Sequence, residues 1–336
     1  MNRRLACLLA VTGLLALPAA AAAAAETGSA SAATPAGAEA SAAPKPVTIP
    51  DALVKIDVGG LKGGRAEIFK TVLVRGTIAP YVAGQRVEVT FYLNGHELMT
   101  RNVAAARGGG NFGTFSSSVV VRKDGKYAVS AHHEANSEQG GDSTVRKSWK
   151  VSYPALHQGE CGKVVKGFKQ ALATMGYVSG GGSCFNDRLG REVLAYRKVN
   201  GMDRNQKASA EVVKRAYAGK GGYHVKYPNS GEHAEVPLSK QVLVLIKAGK
   251  PFAIYPVSTG KSSTPTITGH YSFYRQEPGY NNEGMYYSFY WHNGYAVHGY
   301  AEVPNYPASH GCVRTFIADQ PRIYEQINYG ESIFVF

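Results

Sequence analysis

The chain has 336 residues, 44% of them hydrophobic and 18% charged, and carries a formal net charge of +13. That length fits two or three domains, each able to bury its own core, and the composition is that of globular domains rather than of a disordered chain. The positive balance suits anionic surroundings such as wall polymers or a membrane surface; the scattered Lys and Arg form no basic run interleaved with aromatics, which argues against nucleic acid as a partner.

The N-terminus reads as an export signal. Arg3 and Arg4 form a positive start, residues 5–17 an apolar stretch too short for a transmembrane helix, and residues 19–25 a run of alanines suited to cleavage. An uncleaved anchor is the alternative. Cys7 lies inside the apolar stretch, too early for a lipoprotein cysteine. Residues 26–46 are Ala, Ser, Thr, Pro and Gly with little else, and read as a disordered linker. Without the signal, the mature chain is expected to carry no transmembrane segment.

Export makes the cysteines informative. Three remain outside the signal: Cys161, Cys184 and Cys312. The first two are close enough to pair in an oxidising compartment, and a loop of that size contributes about 3 kcal/mol in the chain-entropy account of disulfides. Cys312 is then left over. An odd cysteine in an exported protein marks a reactive thiol.

Residues 47–153 read as all-β. Val87, Val89, Phe91 and Leu93 alternate with outward positions, and Asn94-Gly95 follows as a strong hairpin turn. Residues 119–121, 127–131 and 149–153 supply further short strands. Many short strands between Gly-rich turns predict an immunoglobulin-like (Ig-like) β-sandwich. His132-His133 is a metal-like pair, but alternation along a strand sends the two rings to opposite faces. With no catalytic constellation, this region reads as a spacer or contact module.

Residues 157–219 change period. Val164, Phe168, Leu172 and Met175 recur at helical spacing, and Gly176 stops that helix. Leu189, Val193, Tyr196 and Val199 form a second stripe, ended by Asn200-Gly201. Ser209 is the predicted N-cap of a third helix running to Ala218. The spacing of Gln170-Ala-Leu172, Gly176-Tyr177, Leu189, Val193, Tyr196, Arg197 and Asn200-Gly201-Met202 resembles a three-helix peptidoglycan-binding domain. It departs from that pattern at Lys207-Ala208, where the usual Gly and Thr are missing. A purely structural bundle is the alternative.

Residues 236–336 return to strands. Gln241-Val-Leu-Val-Leu-Ile246 is a continuous apolar run, Ala248-Gly249-Lys250 a turn, and residues 252–257 the returning strand of a hairpin. Residues 271–274 and 286–291 read as aromatic strands. A helix is predicted over 318–328 with Pro321 in its first turn, and a last strand over 333–336. The fold class is therefore multidomain and mainly β: sandwich, small helical bundle, β-rich C-terminal domain.

The chemistry concentrates between His298 and Arg314, H-G-Y-A-E-V-P-N-Y-P-A-S-H-G-C-V-R. Pro304 and Pro307 make the segment a loop joining two ordered pieces. Cys312 is the nucleophile candidate; His298 and His310 are its candidate bases, because the thiolate is the attacking form. Gly311 permits a tight turn beside the sulfur and can present an N–H to an oxyanion. An inert buried cysteine is one alternative. A zinc site from His292, His298, His310 and Cys312 is another, but no Cys-x-x-Cys or His-x-x-x-His pair accompanies it.

His-Gly, a proline-rich gap, then Ser-His-Gly-Cys-Val-Arg resembles the signature of the L,D-transpeptidases, whose YkuD-like catalytic domain builds bacterial cell wall. Residues 257–271, V-S-T-G-K-S-S-T-P-T-I-T-G-H-Y, resemble a hairpin region of the same family. The resemblance implies a β-rich catalytic fold acting on peptidoglycan stem peptides and glycan, in the cell wall or periplasmic space, with neither cofactor nor metal. Cys312 would attack the third residue of a tetrapeptide stem and expel the terminal D-alanine. The amine of a second stem would then take the acyl group. By position His298 matches the general base, with the Gly299 carbonyl holding its tautomer. The N–H groups of His310, Gly311 and Cys312 are the oxyanion candidates, with His310 itself shaping the loop. Arg314 is expected to order the loop or hold a stem carboxylate. Tyr286, Tyr290 and Trp291 are expected either in the pocket wall or in the core. Ser309 is expected at the substrate or bonded within the loop. The alternatives are an L,D-carboxypeptidase that resolves the same thioester with water, a general cysteine peptidase, and a non-catalytic wall-binding protein.

Overall fold

The computed structural model describes residues 48–336 apart from residue 179. The expected signal (1–25) and linker (26–46), with Cys7, lie outside the described residues. Ten strands come first: β1 (Leu53–Gly59), β2 (Arg65–Glu67), β3 (Thr71–Ala79), β4 (Arg86–Leu93), β5 (His96–Ala104), β6 (Ala106–Arg107), β7 (Gly113–Val120), β8 (Gly125–His133), β9 (Asp142–Ser143) and β10 (Lys147–Ser152). They form two sheets, β1-β3-β7-β6 and β2-β10-β8-β4-β5, with β9 paired to β8. All these pairs run antiparallel except β2 with β10. Alternation builds the core, since every second side chain of a strand faces the same side. Val72, Val74 and Ile78 of β3, Val87, Val89 and Phe91 of β4, and Trp149 and Val151 of β10 are buried in one cluster. Asn94 and Gly95 close the β4–β5 hairpin at φ 53° and 89°. His132 is exposed and bonded to Ser143 Oγ at 2.8 Å, whereas His133 is buried and donates to the Arg86 carbonyl at 2.8 Å. The two rings do not share a site.

Three helices follow: α1 (Lys163–Ala173), α2 (Asp187–Val199) and α3 (Ala210–Tyr217). Cys161 and Cys184 are bonded and tie the start of α1 to the approach to α2. Asn186 caps α2 by accepting from Leu189 N–H at 3.0 Å, and Ser209 caps α3 by accepting from Val212 N–H at 3.4 Å. Gly176 sits at φ 88°, and a Cβ there would lie 2.6 Å from the Pro251 carbonyl oxygen. Glycine thus lets the bundle approach the following sheet. Among the described residues no helix is long and apolar enough to cross a membrane.

The remaining strands are β11 (His233–Val236), β12 (Val242–Lys247), β13 (Lys250–Pro256), β14 (Gly269–Ser272), β15 (Arg275–Tyr280), β16 (Tyr286–His292), β17 (Tyr295–Tyr300), β18 (Val313–Phe316) and β19 (Ser332–Val335), with α4 (Gln320–Gln326) before the last. One sheet runs β13-β12-β11-β19-β14 and the other β15-β16-β17-β18. Strand β11 begins before residue 236, where sequence alone started this region. Helix α4 is shorter than the predicted 318–328, with Pro321 in its first turn.

Strand β12 explains its own sequence. Val242, Val244 and Ile246 face the bundle core with Phe168, Leu172 and Val193; Leu243 and Leu245 face the other core with Phe289 and Val297. A strand covered on both faces needs a continuous apolar run, and each such side chain contributes about 1.5–3 kcal/mol. Helix α2 is the other shared element. Ten of its thirteen residues are buried, and it packs on β12 and β13, so the bundle and the C-terminal sheets share a core.

Candidate active site

His298 lies on β17 and Arg314 on β18. The two strands are parallel and these two residues are directly paired in register, as are Gly299 and Thr315. Parallel neighbours need a long crossover. Here it is the segment 301–312, whose last residue is Cys312. The proline-rich segment is thus a loop, as its composition predicts, but its chemistry sits at the strand ends it connects.

Cys312 is the one free cysteine among the described residues and is half-buried. Its thiol donates to the Gly294 carbonyl at 3.6 Å. Burial pushes its pKa up, against the opposing pull of the Ala296 N–H and the Arg314 charge. His298 is 2% exposed. Its Nδ1 lies 3.0 Å from the Gly299 carbonyl. A carbonyl only accepts, so Nδ1 carries the hydrogen and Nε2 keeps its lone pair. Burial lowers the His298 pKa to about 4; the Gly299 carbonyl opposes this and the Arg314 charge adds to it. Thiol and imidazole are therefore both neutral near pH 7. Behind His298, Thr315 Oγ1 donates to its carbonyl at 3.1 Å, and Gln320 Nε2 donates to the Tyr287 carbonyl at 2.6 Å. A Cβ on Gly299 would lie 3.0 Å from Gln320 Cβ, so a larger residue here would push on Gln320.

The loop is held by the segment after β13. Ser258 exchanges backbone hydrogen bonds with Arg314 at 3.0 and 2.9 Å, and its hydroxyl donates to the Tyr306 carbonyl at 2.7 Å. The Thr259 carbonyl accepts from the N–H groups of Ala308 and Ser309 at 2.8 and 2.9 Å. Thr266 Oγ1 accepts from Gly260 N–H at 2.8 Å and donates to the Gly311 carbonyl at 2.7 Å. Gly311 sits at φ 124° with its Cα face against the Tyr295 ring, where a Cβ would come within 2.4 Å. Both the conformation and the space demand glycine.

Ser309 is 1% exposed. Its hydroxyl donates to the Cys312 carbonyl at 2.6 Å and accepts from Gly311 N–H at 3.0 Å. Of the two expected placements, at the substrate or within the loop, the hydroxyl is buried and bonded within its own loop. It also removes Gly311 N–H from the oxyanion candidates and leaves those of His310 and Cys312. The His310 side chain is exposed. The Arg314 guanidinium lies 4.0 Å over the Tyr300 ring, and among the described residues it forms no ion pair with a carboxylate. Trp291 is 2% exposed within the C-terminal core, which places it in the packing rather than in a pocket wall. Tyr290 is 3% exposed and donates to Glu277 Oε2 at 2.6 Å. Tyr286 is half-buried, 4.5 Å from the Tyr280 ring, and opposite Gly299 in register.

Sequence reasoning missed Thr266, Tyr295, Thr315 and Gln320, which position the loop and the imidazole. Only Thr266 had a signal, as a member of the 257–271 segment. Among the described residues no group of three or more His, Cys, Asp or Glu converges as a metal site.

Residues 231–335 match the family model of the L,D-transpeptidase catalytic domain, YkuD. Among solved structures, an L,D-transpeptidase from Xylanimonas cellulosilytica is 25% identical with a TM-score of 0.50, covering 55% of this chain and 98% of that one. An L,D-transpeptidase from Stackebrandtia nassauensis is 22% identical with a TM-score of 0.35, covering 54% and 94%. One from Mycobacterium tuberculosis is 10% identical with a TM-score of 0.30, covering 83% and 96%. No curated protein matches the chain.

Proposed function

We propose, from the L,D-transpeptidase catalytic domain at residues 231–335, that this chain crosslinks peptidoglycan stems through an acyl-enzyme on Cys312. The observation that carries the proposal is the His298 clamp. Nδ1–H is fixed on the Gly299 carbonyl, which leaves Nε2 as a base, and His298 pairs in register with Arg314, two residues past the thiol. With both groups neutral at rest, His298 Nε2 takes the Sγ proton as sulfur attacks the carbonyl of the third stem residue. The oxyanion is met by the N–H groups of His310 and Cys312. The tetrahedral intermediate collapses, the carbon–nitrogen bond breaks, and D-alanine leaves with the proton held by His298. The side-chain amine of a second stem then attacks the thioester and gives its proton to His298. The new amide forms, and the thiol returns with that proton. No external energy source enters, because the thioester conserves the energy of the old amide bond.

Arg314 supplies the positive charge that would meet a stem carboxylate. Residues 47–153 are proposed as an Ig-like spacer, residues 157–219 as a peptidoglycan-binding-like bundle, and the protein as exported to the wall or periplasmic space. The Cys161–Cys184 bond supports export. Incubation of the mature chain with disaccharide-tetrapeptide, followed by mass spectrometry, tests the reading. A dimer lacking one D-alanine, absent with Cys312→Ala, supports it. Tripeptide alone in the presence of an acceptor stem would replace it with the carboxypeptidase reading.

A further inference from the structure

The two halves of the Cys312 loop are anchored differently. Residues 306–311 are bonded by Ser258, Thr259, Lys261, Thr264 and Thr266 of the same domain. Residues 301–305 have no such cradle. Among the described residues their hydrogen bonds join Asn305 to Arg204 of the helical bundle: Arg204 Nη1 donates to the Asn305 carbonyl at 2.9 Å, and Asn305 Nδ2 donates to the Arg204 carbonyl at 2.7 Å. The second arm of the guanidinium donates to the Ser239 carbonyl at 2.8 Å, in the β11–β12 turn. Close by, buried Lys198 of α2 donates to the Val257 carbonyl at 2.8 Å, at the root of the cradle, and Lys240 donates back to the Val199 carbonyl at 2.7 Å.

We infer that Arg204 is a positioning residue for the Cys312 nucleophile: one planar fork ties the entry of the loop to the β11–β12 turn, so the bundle sets where the loop can go. The inference rests on Cys312 being the nucleophile. Its physical basis is the guanidinium itself. Two N–H arms at fixed angles reach two carbonyls from different segments, whereas an ammonium on a flexible stem orders only one at a time. The reciprocal Asn305 bond fixes both backbones rather than one side chain. A loop that shifts by about an ångström at Cys312 costs about a hundredfold in rate through misalignment, without a new fold. The bundle then acts on the reaction even if it never touches glycan.

The test uses the full mature chain with Arg204→Ala, Arg204→Lys and Asn305→Ala. The measurements are steady-state crosslinking of disaccharide-tetrapeptide and the pH profile of Cys312 alkylation by iodoacetamide. Both are made well below the melting temperature of every variant. Expected for Arg204→Ala is a loss in kcat of about tenfold to a hundredfold with little change in KM. Its alkylation profile moves to lower pH, toward an ordinary thiol, because a loosened loop hydrates the sulfur. Slower turnover together with a more reactive thiol is the signature of displacement. Arg204→Lys and Asn305→Ala fall between that variant and wild type. Wild-type kcat and an unmoved alkylation profile in Arg204→Ala would overturn the inference, as would a loss that tracks only the unfolded fraction. Absence of crosslinking by the wild type would instead count against the functional reading, and the alkylation profiles would still decide the position of the loop.

Discussion

The chain contains two β-rich regions that bury different things. The sandwich of residues 53–152 buries Gln85, Thr90, Ser117, His133 and Gln139 as its polar exceptions. The C-terminal sheets bury His233, Glu235, Gln241, Ser258, Thr259, Thr266, Ser288, His298, Ser309, Thr315, Asp319 and Gln320. Burying polar groups costs stability unless each is bonded. Several of those in the C-terminal region are bonded to backbone around the thiol: Thr266 to Gly311 and Ser309 to Cys312 in the loop, and Thr315 to His298 on β17. One region rests on a core of alternating apolar side chains with few buried polar groups. The other uses buried hydroxyls and amides to fix loops around a thiol. Buried polarity, more than sheet architecture, sets the region around the thiol apart from the N-terminal sheets.

That contrast can be broken by substitution. The largest expected effect is at the base: His298→Ala should slow crosslinking by about 10²–10⁴-fold, read by steady-state kinetics. A stability change without that rate loss would contradict the assignment. In the sandwich, Phe91→Ala should reduce stability by about 3–5 kcal/mol in chemical denaturation. It should leave Cys312 alkylation of the folded fraction unchanged, since Phe91 belongs to a separate core.

The folded pKa of His298 is about 4 against an ordinary 6.5. The unfolded chain therefore binds the proton first as pH falls. Stability is fully present above about pH 6.5 and is lost as pH falls through 4, by about 3 kcal/mol at most. A His298→Gln variant should show a shallower loss of melting temperature between pH 6.5 and 4, and the acid limb of wild-type kcat/KM should lie near 4. An acid limb near 6.5 would mean that the imidazole is not desolvated. The smallest effect belongs to Thr266→Val, which removes a buried acceptor and donor. A stability loss of about 1–3 kcal/mol is expected, with slower turnover because the Gly311 carbonyl loses its partner.

Sequence revealed apolar order better than polar order. The 241–257 hairpin is legible because β12 faces two cores and is apolar throughout. The β4–β5 hairpin is legible from Asn94-Gly95, although β5 itself, exposed along most of its length, has no apolar rhythm to read. Strand β11 is illegible because His233 and Glu235 look like surface residues yet are fully buried. Glu235 accepts from the Tyr223 hydroxyl at 2.6 Å and from Tyr227 N–H at 2.8 Å, while His233 Nδ1 faces the Gly231 carbonyl at 2.9 Å. Cys312, His298 and Gly299 stand out because the motif is compact. Ser309 stays open between substrate and loop in the sequence, since spacing cannot say whether a hydroxyl faces the ligand or its own loop. Trp291 is ambiguous in sequence because an aromatic strand serves equally as wall or core.

A covalent intermediate on Cys312 underlies the whole proposed reaction. The most direct measurement is intact-protein and peptide mass spectrometry after mixing the mature chain with disaccharide-tetrapeptide whose acceptor amine is acetylated. Expected is an adduct equal to the donor minus one D-alanine, carried by the peptide containing Cys312, released by hydroxylamine and absent from Cys312→Ala. With folded protein, an adduct on another residue, or D-alanine release without any thioester in the wild type and undiminished in Cys312→Ala, would contradict it.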